Sequence, residues 1–154
     1  EWMSEPGLGA GPFYKPSDEA RVITWLRHHL VTEEPPDSLC ADVSRWTLWL
    51  AKGAPRAWHA AGESFGVSDM PTFFGQVSYR VDSFLVTEGE LRARVRLNLR
   101  RLPREIRLRL RHPTHQPMHH ATINGRPAQF DPEGEYVVLP ADVQADYHVI
   151  VGYR

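Results

Sequence analysis

The chain is poor in several things that would narrow its function. Of its 154 residues only Cys40 is a cysteine, which excludes an internal disulfide, a paired-thiol redox motif and a cysteine-based zinc cage. Lysine is scarce: Lys15 and Lys52 are the two in the chain, and every other basic residue is arginine. No apolar run approaches the ~18 residues of a membrane-spanning helix. No basic stretch followed by an apolar one marks a secretory signal, and a processed chain would show none, so localisation stays open. A large excess of one charge is missing too, the net charge being −1, so a global polyanion binder is not indicated. There is no G-x-G-x-x-G, no phosphate-binding loop and no H-E-x-x-H helix, and no cofactor is implied. No membrane or nucleic-acid partner is expected.

What is present describes an ordinary folded domain. The hydrophobic fraction is 42% and the charged fraction 24%. A chain of this length buries roughly 70% of its surface, enough for a core without crosslinks. The charge is uneven, however. Residues 80–126 hold 11 basic residues, all arginine, against 4 acidic ones, for a local net charge of +7.

Pro6, Gly7, Gly9, Gly11, Pro12 and Pro16 make residues 1–16 read as an extended lead-in without a regular element. Trp2, Phe13 and Tyr14 within it imply that it lies against something apolar. Ser17 is a suitable N-cap, with Asp18 and Glu19 in the first turn. Val22, Ile23, Trp25, Leu26 and Leu30 then follow at helical spacing, which predicts one helix over 17–31, ended by Pro35-Pro36. From residue 46 the period becomes two. Trp46, Leu48 and Leu50 alternate with Thr47 and Trp49. Residues 62–67 and 77–82 read as strands. Leu91, Ala93, Val95, Leu97 and Leu99 alternate with arginines and Asn98, and Ile106, Leu108 and Leu110 with Arg107, Arg109 and Arg111. Ala121 and Ile123 precede Asn124-Gly125, a two-residue hairpin signal. Residues 136–139 and 147–153 supply the last strands.

The expected fold is therefore all-β: an antiparallel β-sandwich of about seven or eight strands with one N-terminal α-helix. Its parts are a lead-in and helix at 1–35 and a sandwich at 44–154. The helix must pack on the sandwich or against another chain. A parallel α/β sheet is excluded, because no helices fall between the strands.

Catalytic residues do not stand out. His112, His115 and His119, with His120, crowd one nine-residue stretch, and imidazole is a common metal ligand. Pro113 and Pro117 forbid a helix there, so these three are weak metal candidates and a solvated turn is the competing reading. A glycosidase needs two carboxylates about 5–10 Å apart across a cleft, but the acidic residues fall in turns where solvation explains them. Ser64 lacks the G-x-S-x-G elbow. The aromatic residues carry more: Trp49 and Trp58 either pack or present faces to a sugar ring. Arg92, Arg94, Arg96, Arg107, Arg109 and Arg111 either pair with acidic neighbours across strands or meet a polyanion. No aromatic shares the arginine faces, which counts against nucleic acid.

Several segments resemble a known family. They are Phe13 to Ala20, Trp25-Leu26, Leu48 to Ala51, Gly53 to Trp58, Met70 to Tyr79, Leu108 to Pro113 and Ala121 to Gly125. Their order is similar to that of the C-terminal end of bacterial six-hairpin glycosidases, which carry an (α/α)6 toroid followed by a β-sandwich. The P-T-x-F-G and x-N-G turns together are its most specific part. The resemblance implies that residues 1–31 correspond to the last hairpin and exit helix of the toroid, and residues 44–154 to the sandwich behind it. The chemistry of that family lies in the toroid cleft, so no catalytic residue carries over. The implied function is a non-catalytic accessory module that packs on an (α/α)6 domain or subunit through Tyr14, Trp25, Trp49 or Trp58, with polysaccharide as a further partner. The alternative is an independent carbohydrate- or polyanion-binding module.

Overall fold

The computed structural model describes residues 3–5, 8–9 and 16–154, with side chains from residue 21 onward. Tyr14, Trp2 and Phe13 lie outside the described residues, as does the side chain of Ser17. The lead-in is not wholly irregular. Strands β1 (Met3–Glu5) and β2 (Leu8–Gly9) form a short antiparallel ladder, because two or three residues between glycines and prolines suffice for one.

Helix α1 spans Pro16–Leu30, starting on a proline, whose fixed φ suits the first turn. The chain then passes directly into β3 (Val31–Glu34), a strand that the helical spacing conceals. The last carbonyls of α1 find donors in the sandwich. Leu30 O accepts from Ala51 N at 2.7 Å and from the Tyr79 hydroxyl at 2.9 Å, and His29 O accepts from Gly53 N at 3.0 Å. A helix terminus that would otherwise leave buried acceptors orphaned is thus built into the sheet layer. Pro35-Pro36 ends β3, not the helix.

The remaining strands are β4 (Thr47–Leu50), β5 (Ser64–Pro71), β6 (Gly75–Phe84), β7 (Glu90–Leu99) and β8 (Glu105–Arg109). They continue as β9 (Met118–Ile123), β10 (Arg126–Pro127), β11 (Phe130–Asp131), β12 (Tyr136–Leu139) and β13 (Gln144–Tyr153). Two sheets result. One has the order β10-β9-β13-β7-β6-β5 and the other β11-β12-β8-β4-β3. All pairings are antiparallel except β4 with β8. The strands expected from periodicity are there, and the short β3, β10 and β11 bring the two sheets to 6 and 5 strands.

Period-two alternation builds the core. Leu91, Ala93, Val95, Leu97 and Leu99 of β7 face Leu48, Leu50, Ile106, Leu108, Val137 and Leu139 of the other sheet in one buried cluster. Trp46, in phase with the buried Leu48 and Leu50, precedes β4 and is only half-buried, with its ring edge-on to Phe73 at 5.6 Å.

The P-T-x-F-G motif acquires a physical meaning in the β5–β6 connection. Thr72 Oγ1 accepts from the N–H groups of Phe74 and Gly75, both at 3.1 Å. Phe74 is fully buried, and its carbonyl accepts from Arg100 N at 2.7 Å. Glu33 Oε1 accepts from Phe73 N at 3.2 Å while holding Arg27 with both oxygens at 2.7 and 2.8 Å. Arg27 also donates to Pro71 O at 3.0 Å. One ion pair therefore fastens the last turn of α1 to the loop between two strands.

The Asn124-Gly125 hairpin forms as the sequence implies, with φ of 50° and 77° at its two central residues and Ile123 opposite Arg126. Asn124 also pairs with β13: its Oδ1 accepts from His148 N at 2.8 Å. Asn124→Val is expected to cost about 2 kcal/mol, because a β-branched residue resists positive φ and the bond to β13 is lost. Urea unfolding measures it, and an unchanged midpoint would contradict the turn assignment.

Candidate functional site

The arginine-bearing strands part company in the fold. Arg92, Arg94 and Arg96 lie on β7 in the six-stranded sheet; Arg107 and Arg109 lie on β8 in the five-stranded sheet, with Arg111 just beyond it. They occupy the outer faces of opposite layers and form no common patch.

The five-stranded face is closed by its own side chains. Trp49 is only 7% exposed. Tyr136 meets it edge-on at 5.2 Å, and Arg107 and Lys52 lie over its ring at 5.0 and 5.2 Å. Its Nε1 donates to Glu34 Oε2 at 2.7 Å, and Lys52 donates to the other oxygen. Burial pushes the Glu34 carboxyl up, but these two hydrogen bonds outweigh it and hold the group below its ordinary value. Arg107 pairs with Glu105, Arg109 donates to Lys52 O at 3.2 Å and approaches Glu135 at 3.6 Å, and Arg111 donates to Ala54 O. Trp49, out of phase with Leu48 and Leu50, faces outward, but its neighbours leave it almost wholly covered. No ring face is left for a sugar there, and the three arginines are already committed.

The six-stranded face is open. Register sets Arg80 of β6, Arg94 of β7 and His148 of β13 side by side. One step along, Ser78, Arg96 and Asp146 form the next row. Ser78, Arg80, Arg94, Arg96, Asn124 and His148 line a cavity of about 490 Å³. The arginines differ in their commitments. Arg92 pairs with Glu88 and Glu90 and covers Phe84. Arg80 donates to Asp82 at 2.8 Å and Ser64 at 2.9 Å. Arg96 approaches Asp69 at 3.5 Å, both largely exposed. Arg94 is exposed and has no hydrogen-bond or ion-pair partner among the described residues. Arg80, Asn124 and His148 escaped the sequence reading. The alternation around Arg80 was visible, but which strands flank it was not.

A third surface belongs to α1. Val22, Ile23, Trp25 and Leu26 are 57%, 69%, 61% and 51% exposed. Trp25, His28 and His29 line a shallow cavity of about 320 Å³ with Lys52, Gly53 and Arg109. Trp58 is half-buried against Phe65, ring centroids 5.6 Å apart, beside a cavity shared with Leu30 and Glu63.

The histidine stretch is dispersed. The His112 ring tilts on Tyr153 at 5.1 Å and takes Thr114 N at 3.2 Å, while His115 and His119 are exposed. No group of three His, Cys, Asp or Glu side chains able to hold a metal ion forms among the described residues. No helix is long and apolar enough to cross a membrane among them.

The chain matches no family model and no curated protein. In shape it is similar to a GH127 β-L-arabinofuranosidase from Geobacillus stearothermophilus T6, at 16% identity and a TM-score of 0.40. That similarity covers 90% of this chain and 19% of the other, so the chain spans about a fifth of that protein's length.

Proposed function

We propose that the chain is a non-catalytic β-sandwich module of a six-hairpin glycosidase-like protein and docks on the (α/α)6 catalytic domain through α1. The observation that carries this reading is the apolar face of the helix. Four large side chains of α1 stand more than half in solvent, while the end of the same helix is tied to the sandwich by three hydrogen bonds to two backbone carbonyls and by the Arg27–Glu33 pair. A rigidly mounted helix with an uncovered apolar face is suited to meet a second surface. Covering each such side chain is worth about 1.5–3 kcal/mol, and a helix of 15 residues is marginal on its own. The order of the P-T-x-F-G and x-N-G motifs after this helix, as in the six-hairpin family, supports the choice of partner.

The test retains proteins from a lysate of the source organism on the immobilised chain and identifies them. A six-hairpin protein held by the wild type and lost with the double variant Ile23→Asp, Leu26→Asp is the expected result. Both positions are exposed, so the variant should keep its melting temperature. Retention of a protein of another fold, or of no six-hairpin protein, would overturn the reading.

A further inference from the structure

We propose that the outer face of the six-stranded sheet is a binding site for the carboxylates of an acidic, uronate-containing polysaccharide, with Arg94 as its anchor. The cavity shares no lining residue with α1, so this site goes beyond the docking reading and stands without it.

The first support is the placing of charge. Arg80, Arg94 and His148 form one row across three strands, and Arg96 lies two residues along β7 from Arg94. Neighbouring strands lie about 4.8 Å apart, and i,i+2 positions about 6.8 Å, so the three arginines and the His148 imidazole form a small grid. Asp146 is the one carboxylate among the lining residues. Asp82 and Asp69, beside the cavity, pair with Arg80 and Arg96, so among the lining arginines Arg94 is the one without an acidic partner among the described residues.

The second support is the unpaired anchor. Arg80 is drawn toward the β5 edge by Asp82 and Ser64, and Arg92 is neutralised by two glutamates. Arg94 between them has its guanidinium fork free among the described residues. A free planar fork matches a carboxylate with two parallel hydrogen bonds.

The third support is what surrounds the charge. Ser68 supplies a neutral hydroxyl suited to a sugar hydroxyl, while Ser78 is held by Asp69 and Asn124 by β13. A cavity of about 490 Å³ is within the range of small-ligand sites. The two tyrosines at its floor turn inward, with hydroxyls on Leu30 O and Pro140 O. Neither tyrosine among the lining residues therefore offers an exposed face for stacking to a nucleic-acid base or to a neutral sugar. Charge and hydroxyl recognition without a ring platform favours an acidic glycan over either.

The test is affinity electrophoresis of the full chain in gels containing polygalacturonate, neutral arabinan, dextran sulfate or single-stranded DNA. Retardation by polygalacturonate that weakens with added salt is expected, with little in the other three. Arg94→Gln should weaken it by about tenfold or more, the size of a lost charge-assisted pair. Arg96→Gln should weaken it less. Arg92→Gln, on the same strand and already neutralised, should stay within about twofold. No retardation by polygalacturonate would overturn the proposal. Equal retardation by dextran sulfate or DNA would overturn the uronate assignment, and an equal loss with Arg92→Gln would reduce the site to diffuse charge.

Discussion

Gly75→Ala is expected to cost about 3–5 kcal/mol, a large part of the stability of a domain this size. Gly75 opens β6 at a φ of +141°, a region that residues with a Cβ rarely enter. A Cβ there would stand 2.5 Å from Asn98 O and 2.6 Å from Leu99 Cα. Both are backbone atoms of β7 and cannot swing aside as a side-chain tip would. The strand start would have to move, and three things move with it. Thr72 would lose its bonds to the N–H groups of Phe74 and Gly75, Phe74 would leave its fully buried seat, and Phe74 O would release Arg100 N. Gly62 provides the control. Its φ is +80°, yet nothing lies within 4 Å of an added Cβ, so Gly62→Ala should cost only the conformational part, about 1 kcal/mol. Urea unfolding of the two variants separates steric conflict from backbone preference. A Gly75→Ala loss no larger than that of Gly62→Ala would mean that the motif is not shaped by close strand approach.

The same loop marks how far residue patterns reach. Strand β7 was legible almost residue by residue, because its inner positions are all apolar and its outer ones all polar, and a sheet with one wet face demands that alternation. The Asn-Gly turn was legible because few residue pairs accept two positive φ angles in succession. β3 was not, because Val31–Glu34 follows α1 without a break and is too short to show a period of its own. The parallel pairing of β4 with β8 left no mark either, since pairing partners depend on the whole topology. That gap matters most for the candidate site. Alternation told which side of β7 and of β8 the arginines occupy. It could not tell that the strands belong to different layers, nor that Trp49 would be roofed by Arg107 of the adjacent strand and Tyr136 of the strand beyond it. Arg94 became distinct from Arg92 only once the acidic neighbours of each were placed. The exposure of α1 was half legible: its wide apolar face required a partner, and the sandwich covers only the helix end.

His59 should make the protein about 3 kcal/mol less stable at pH 4 than at pH 7. The residue ends the single turn Arg56–His59 and is fully buried. Its Nδ1 lies 3.1 Å from Pro55 O, to which it can only donate, so the neutral ring carries its proton there. Nε2 is buried without a partner among the described residues. The ring stands edge-on to Phe65 at 4.9 Å, and Ser83 Oγ donates to His59 O at 3.0 Å, which ties the turn to β5 and β6. Burial is the main reason that the imidazole is pushed from 6.5 down to about 4. The bond to Pro55 O opposes this, Arg111 and Arg56 add to it, and Glu135 opposes it. The unfolded chain takes up a proton as the pH falls through about 6.5, and the folded chain declines it until about 4. The unfolded state therefore gains ground across that window. The contribution of His59 is complete above pH 6.5 and is lost as the pH falls to about 4, a difference of two and a half pH units or roughly 3 kcal/mol. Urea unfolding across this range, for the wild type and for His59→Gln, isolates it, because His112, lowered in the same direction, is present in both. The wild type should lose about 3 kcal/mol more than the variant, whatever the variant costs at neutral pH. Parallel curves would show that Nε2 takes up its proton without penalty, and that the turn is not the dry joint against β5 and β6 that its contacts describe.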